Sequence, residues 1–148
     1  ALREIESSNT TPTDESTKPL VTVISTTGVS EVKEDVPFGF QILYHKLLAV
    51  PHADKKAMEQ LLDGHMAQSD HSQRVFRGAV VVRPSLLTGD HLVHSKSRKG
   101  AKLLRAGTES EPAIGYTVHR ADVGEWIFEE VIQTGGSSHV GQRVTLTN

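Results

Sequence analysis

No cysteine occurs among these 148 residues. That absence excludes a disulfide framework, a thiol nucleophile and a sulfur-ligated zinc site, and it fits a reducing, cytoplasmic home. Long apolar runs are also lacking, since none approaches the roughly 18 residues that a membrane-spanning helix needs. The first residues, Ala1-Leu2-Arg3-Glu4-Ile5-Glu6, carry acid where a secretory signal has base followed by an apolar run. The sequence therefore reads as soluble, with no membrane partner. Neither sign of charge dominates: 16 Lys and Arg stand against 18 Asp and Glu. Such a balance gives no footing for nucleic-acid binding. The 12 glycines include no Gly-x-Gly-x-x-Gly or similar cluster, so the turn that cradles a dinucleotide pyrophosphate is missing from the chain.

What is present is an alternation of helix-like and strand-like stretches. Residues 1–7, with Leu2 and Ile5 three apart and no capping residue in front, read as the end of a helix. Residues 7–19 are almost wholly Ser, Thr, Asn, Pro and charge, a composition that cannot bury surface and predicts a flexible polar loop. Leu20 to Ser25 is a short β-branched run of the kind buried on both faces of a parallel sheet. Phe40, Ile42, Leu43, Leu47 and Leu48 then recur at helical spacing between Phe38 and Ala49, and Pro51 predicts a break. A second helix is expected over Ala53–Leu62, with apolar positions 53, 57, 58, 61 and 62 inward, Lys55 and Glu59 on the opposite face, and Gly64 as its stop.

Gly78 to Arg83 predicts a second buried parallel strand ended by Pro84. Residues 98–106 suggest a short basic helix and 107–112 a turn. Gly115 to Val118 reads as extended, and Ala121–Gln133 as a helix with Val123, Trp126, Ile127 and Val131 on one side. Arg143–Thr147 alternates like a half-buried strand. The order predicts an α/β fold: a partial, Rossmann-like, doubly wound and mostly parallel sheet with helices on both faces. Three or four strands are few for such a domain, so residues 20–148 read as its carboxyl-terminal part, with 1–19 as cut helix and loop.

Candidate chemistry begins at the first strand's carboxyl end, where Ser25, Thr26 and Thr27 face the crevice in which α/β folds bind ligands. The alternative is that these hydroxyls only satisfy turn backbone groups. Of the eight histidines, His91, His94 and Asp90 form one group and His65, Asp70 and His71 another. Neither has the spacing of a known ligand set with a third defined donor, so no metal is expected. The basic run His94 to Lys99, with Lys102 and Arg105, suits either an anion such as the NADP 2′-phosphate or a solvated face. Arg83 and Arg120 are expected to pair with Asp122 or Asp54 in structural ion pairs.

Four features stand in a recognisable order: a strand ending Ser-Thr-Thr-Gly (25–28), a Lys-x-x-x-Glu step (Lys55, Glu59), a strand ending Val-Val-Arg-Pro (81–84), and a late Arg-Ala-Asp-Val (120–123). In this order over roughly residues 20–147 the chain resembles the atypical short-chain dehydrogenase/reductases, and more narrowly the NmrA-like branch. Tyr44 to Leu48 followed by Pro51 to Lys55 is similar to a segment of fungal NAD(P)-binding proteins. The resemblance implies an oxidoreductase that binds NADP or NAD and an unknown small-molecule substrate. It implies that Ser25, Thr26 or Thr27 contacts substrate or nicotinamide ribose, that Lys55 bonds the ribose hydroxyls, and that Pro84, Ser85, Leu86 and Leu87 border the nicotinamide ring. The family's Tyr-x-x-x-Lys tyrosine would stand at position 51, which here is Pro51. That leaves Tyr44 and His52 as candidate acids, His52 being suited to proton transfer near neutral pH. Two alternatives stay open: a dinucleotide-sensing module that acts through a protein partner or dimer without turnover, and an inactive fragment.

Overall fold

The computed structural model describes residues 17–42, 46, 48–90 and 103–148. The helix end expected at 1–7, Tyr44, His91, His94 and the basic run through Lys102 lie outside the described residues.

Strand β1 is Leu20–Ile24, β2 is Gly78–Pro84, β4 is Arg105–Gly107 and β6 is Arg143–Thr147; they form one sheet in the order β1-β2-β6-β4. The first three strands are parallel, with Val21 opposite Ala79 and Val82 opposite Val144, and β4 runs antiparallel to β6. A separate two-stranded parallel ribbon joins β3, Leu86–Thr88, to β5, Thr117–His119. The β2 run Gly-Ala-Val-Val-Val-Arg-Pro is buried along its whole length, as a central strand with neighbours on both edges and helices on both faces must be. Its alternate residues serve two cores. Val80 and Val82 pack with Val144, Leu146, Val123, Trp126 and Val131 on one face. Ala79 and Val81 pack with Leu62, Met66, Val21 and Val23 on the other.

Helix α1 spans Ala49–Met66, and α2, Arg120–Trp126, continues as one π-helical stretch over Ile127–Gln133. The expected break at Pro51 does not occur. Pro51 is the third residue of α1, where its missing N–H has no intrahelical acceptor to lose. The helix expected between Phe38 and Ala49 opens with a 3-10 turn, Phe38–Phe40, and is helical at Gln41, Ile42 and Lys46; residues 43–45 and 47 lie outside the described residues. Gly64 does not stop α1 either; the helix continues to Met66.

The inward face of α1 is also rotated from the expected one. His52, Glu59 and Leu62 are buried, whereas Leu61 is 78% exposed. A buried ion pair at Glu59, described below, sets this rotation against the apolar stripe. Arg105 and Ala106, expected in a basic helix, are strand. β6 is buried rather than half-buried, because Thr145 and Thr147 find partners inside: Thr145 Oγ1 accepts from the Ala113 N–H at 2.8 Å, and Thr147 Oγ1 donates to the Thr117 carbonyl at 3.2 Å. Among the described residues no helix is long and apolar enough to cross a membrane.

Candidate functional site

The carboxyl ends of β1 and β2 and the inward face of α1 meet in one place. Past Ile24 the chain stays in register with β2, since Ser25 N–H donates to the Val82 carbonyl at 2.7 Å and Thr27 N–H to the Pro84 carbonyl at 3.1 Å. The turn then reverses at Gly28, whose φ of 87° favours glycine. Asp35 holds this turn from below: its Oδ1 accepts the Gly28 N–H at 2.7 Å. Ser25 and Thr27 are buried, and Thr26 between them is partly exposed.

Lys55 comes to the same place from α1, its Nζ donating to the Ile24 carbonyl at 3.2 Å. His52, one turn earlier on the same inward face, is buried. Lys56, at the four-residue spacing from His52, turns to Glu31 in an exposed pair instead. That pairing holds the Glu31 carboxyl below its ordinary range, mainly through the Lys56 hydrogen bond. Of the segment expected at the nicotinamide, Pro84 and Ser85 are buried, and Ser85 Oγ is spent on Thr147 Oγ1 at 3.0 Å. Leu86 is half-exposed and Leu87 partly so.

The cluster that orders this corner is one that the sequence reading misplaced. Arg83 does not pair with Asp122 or Asp54. Its Nη2 and Nε bond the two Glu59 oxygens at 2.6 and 3.0 Å, and its Nη1 reaches Glu109 at 3.0 Å. Arg143 joins from β6, with Nε on Glu59 at 3.2 Å and Nη2 on Asp63. Asp122 accepts from Asn148, and Arg120 donates to the Gly89 carbonyl. Glu59 therefore faces inward. Burial pushes its carboxyl up, but the hydrogen bonds and the charge of Arg83, aided by Arg143, hold it below the ordinary range. A guanidinium inside an otherwise apolar Val-Val-Val-Arg-Pro run demands a buried acid, and that demand was the available signal.

Asp35 is the opposite case. Burial pushes its carboxyl up, the Gly28 hydrogen bond and nearby Arg83 offset this only in part, and Oδ2 has no hydrogen-bond partner. A folded pKa raised above the unfolded value of about 3.9 contributes stability at low pH that is lost as pH rises through the folded value. Asp35→Asn is thus expected to match the parent near pH 3.5 and to exceed it in stability near pH 7.5, measured by urea unfolding at both.

Of the group His65, Asp70 and His71, two side chains make local hydrogen bonds. His65 lies in α1 and its Nε2 accepts the Val75 N–H at 2.9 Å, while Asp70 is occupied with Ser72. Among the described residues no three His, Asp or Glu side chains converge on one point.

No family model matches the chain. It is 48% identical over 140 residues to the oxidase pynE of Aspergillus niger, an alignment covering 92% of this chain and 47% of that protein. It is 44% identical over 151 aligned positions to the reductase pytE of Aspergillus terreus, covering 99% and 53%. The chain thus spans about half the length of the curated relatives it matches. Among solved structures it is similar to a wide-type short-chain dehydrogenase/reductase of Veillonella parvula in complex with NADP, with a TM-score of 0.59 at 13% identity, covering 86% of this chain and 50% of that one. An ethylated form of a Veillonella parvula short-chain dehydrogenase/reductase gives the same figures. The fold is Rossmann-like. Its mostly parallel sheet, with helices on both faces, is the architecture expected from the alternation of strands and helices.

Proposed function

We propose that residues 20–148 form the nicotinamide side of an NADP- or NAD-binding domain of the NmrA-like, atypical short-chain reductase type, acting as an oxidoreductase on a small molecule. The observation that carries this reading is the placement of Lys55 against the Ile24 carbonyl at 3.2 Å, beside Thr26 and at the carboxyl end of two parallel strands. A ligand bound where α/β sheets bind theirs meets an ammonium and a hydroxyl suited to ribose. The two fungal relatives carry oxidase and reductase names, which agrees in reaction class.

The residues present fit one end of the dinucleotide. Lys55 and Thr26 suit the ribose hydroxyls, and Leu86 and Leu87 offer an apolar border for a flat ring. No residue set in the sequence suits the pyrophosphate, because no glycine-rich turn exists. When bound, the nicotinamide ring donates or accepts a hydride. Around it, the Lys55 ammonium orients the sugar beside an acid that supplies the proton. Tyr44 and His52 are the candidates for that acid, and His52 shares the inward face of α1 with Lys55.

Pro51 stands four residues before Lys55, where a reductase tyrosine would be, and has no proton to give. That residue favours a second reading, a dinucleotide-sensing module without turnover. Titration of the chain with NADPH, followed by a thermal melt and then by NADPH absorbance with carbonyl substrates, separates the two. Saturation with consumption supports the reductase. Saturation without consumption supports the sensor, and no saturation removes both.

A further inference from the structure

The rotation of α1 that buries Glu59 turns another face of the helix outward, and that face is apolar. Val50, Ala53, Ala57, Leu61 and Gly64 follow one another at steps of 3, 4, 4 and 3 residues. At about 100° per residue these five positions share an arc of about 80°. All five are exposed, Val50 at 81% and Leu61 at 78%. The outward stripe of a surface helix is normally polar, yet here only Asp54, at the edge of the arc, carries charge. Ala57 and Leu61 also line an apolar groove of about 370 Å³, together with Val23, Met58, Leu62 and Phe76.

We infer that this face is an interface, covered by α1 of a second copy of this chain, with the two helices antiparallel across a two-fold axis at Ala57. Such pairing demands a self-complementary surface, and the face has one. Ala57 meets its own copy, Leu61 of each chain meets Ala53 of the other, and Val50 meets Gly64. Each large side chain thus falls on a small residue. A Cβ at Gly64 would find nothing within 4 Å, which leaves room for the incoming Val50. Leu61, set over Ala53, stands at the mouth of the groove beside Asp54 and Ala57. A parallel pair would put Val50 on Val50 and Leu61 on Leu61 and lose this fit.

The charges agree with the same arrangement. Antiparallel helices bring the positive amino-terminal end of each macrodipole beside the negative carboxyl-terminal end of the other, and Asp54 comes level with Gln60 and not with another acid. The area sets the strength. An 18-residue helix is about 27 Å long and about 10–12 Å across, a footprint of roughly 300 Å² on each copy. That is under the roughly 800 Å² per partner of a standard interface, so the dimer is weak and dissociates in the micromolar range or above.

Sedimentation equilibrium of the 148-residue chain from about 5 µM to about 1 mM reads this association. Leu61→Glu and Ala57→Glu are expected to weaken it at least about tenfold. Their melting temperatures at the lowest concentration should match the parent, because both side chains are exposed. Single cysteines report the register directly, since the chain has none of its own. Under oxidised glutathione, Ala57→Cys should join to itself, and a mixture of Val50→Cys and Gly64→Cys should join across the two variants in preference to either with itself. Gln133→Cys, exposed on another element, should stay unjoined. A chain that remains monomeric at about 1 mM overturns the inference and leaves the face to a different protein segment. A dimer of parental affinity in both glutamate variants overturns it too, as does Val50→Cys joining chiefly to itself. The cysteine variants keep the test open if a glutamate variant loses its fold.

Discussion

Arg83→Met is expected to lower the stability of the chain by about 3–5 kcal/mol. Arg83 and Glu59 are almost completely buried, with side chains 3% and 6% exposed. Removing the guanidinium leaves the Glu59 carboxylate inside the protein with only the more exposed Arg143 for a partner, at 3.2 Å. The double variant Arg83→Met/Glu59→Leu should recover most of the loss, because a buried pair replaced by apolar groups is far less costly than a pair broken on one side. Urea unfolding of the two single variants and the double variant closes the cycle. The pH dependence has a definite sign. Glu59 ionises below its ordinary range in the fold, so its contribution is present above the unfolded value of about 4.3 and is lost as pH falls through the depressed folded value. In Arg83→Met that acid loss begins at higher pH.

Lys55→Ala is the second large effect, and it falls on binding and not on stability. A charged donor to a sugar hydroxyl contributes about 1.5–3 kcal/mol, so NADPH affinity should fall about ten- to a hundredfold. The melting temperature should hold, because Lys55 is partly exposed and the interaction it gives up is one hydrogen bond to the Ile24 carbonyl. Isothermal titration beside a thermal melt reads both quantities. Undiminished affinity in Lys55→Ala would remove Lys55 from the site.

The β-branched runs of β1 and β2 were legible in the sequence because strands covered on both faces have no polar alternation to hide them. The stretch from Ala121 to Gln133 was legible from its apolar stripe, and its end from Gly135 and Gly136, whose φ values of 64° and 72° suit glycine. β6 misled because Thr145 and Thr147 look like a solvent-facing alternation, and only the tertiary structure supplies their buried partners. Pro51 misled because proline stops a helix from its interior and is tolerated in its first turn. β3 left no periodic signal, being three residues long, and the extended reading of Gly115 to Val118 meets β5 at Thr117 and Val118.

At the site, Lys55 and the strand-end hydroxyls were legible by position, although burial divides Thr26 from Ser25 and Thr27. The charge network was not. Glu59, Arg83, Glu109 and Arg143 are 24 to 84 residues from their partners, and local spacing carries no record of such contacts.

The central claim is that the carboxyl ends of β1 and β2 receive the nicotinamide and its ribose. Its most direct test is competition against bound NADPH by two halves of the dinucleotide, nicotinamide mononucleotide and adenosine 2′,5′-bisphosphate, followed by Trp126 fluorescence. The account predicts that nicotinamide mononucleotide displaces NADPH, that Lys55→Ala weakens this displacement, and that the adenosine half competes poorly. Displacement by the adenosine half alone, unchanged in Lys55→Ala, would contradict it.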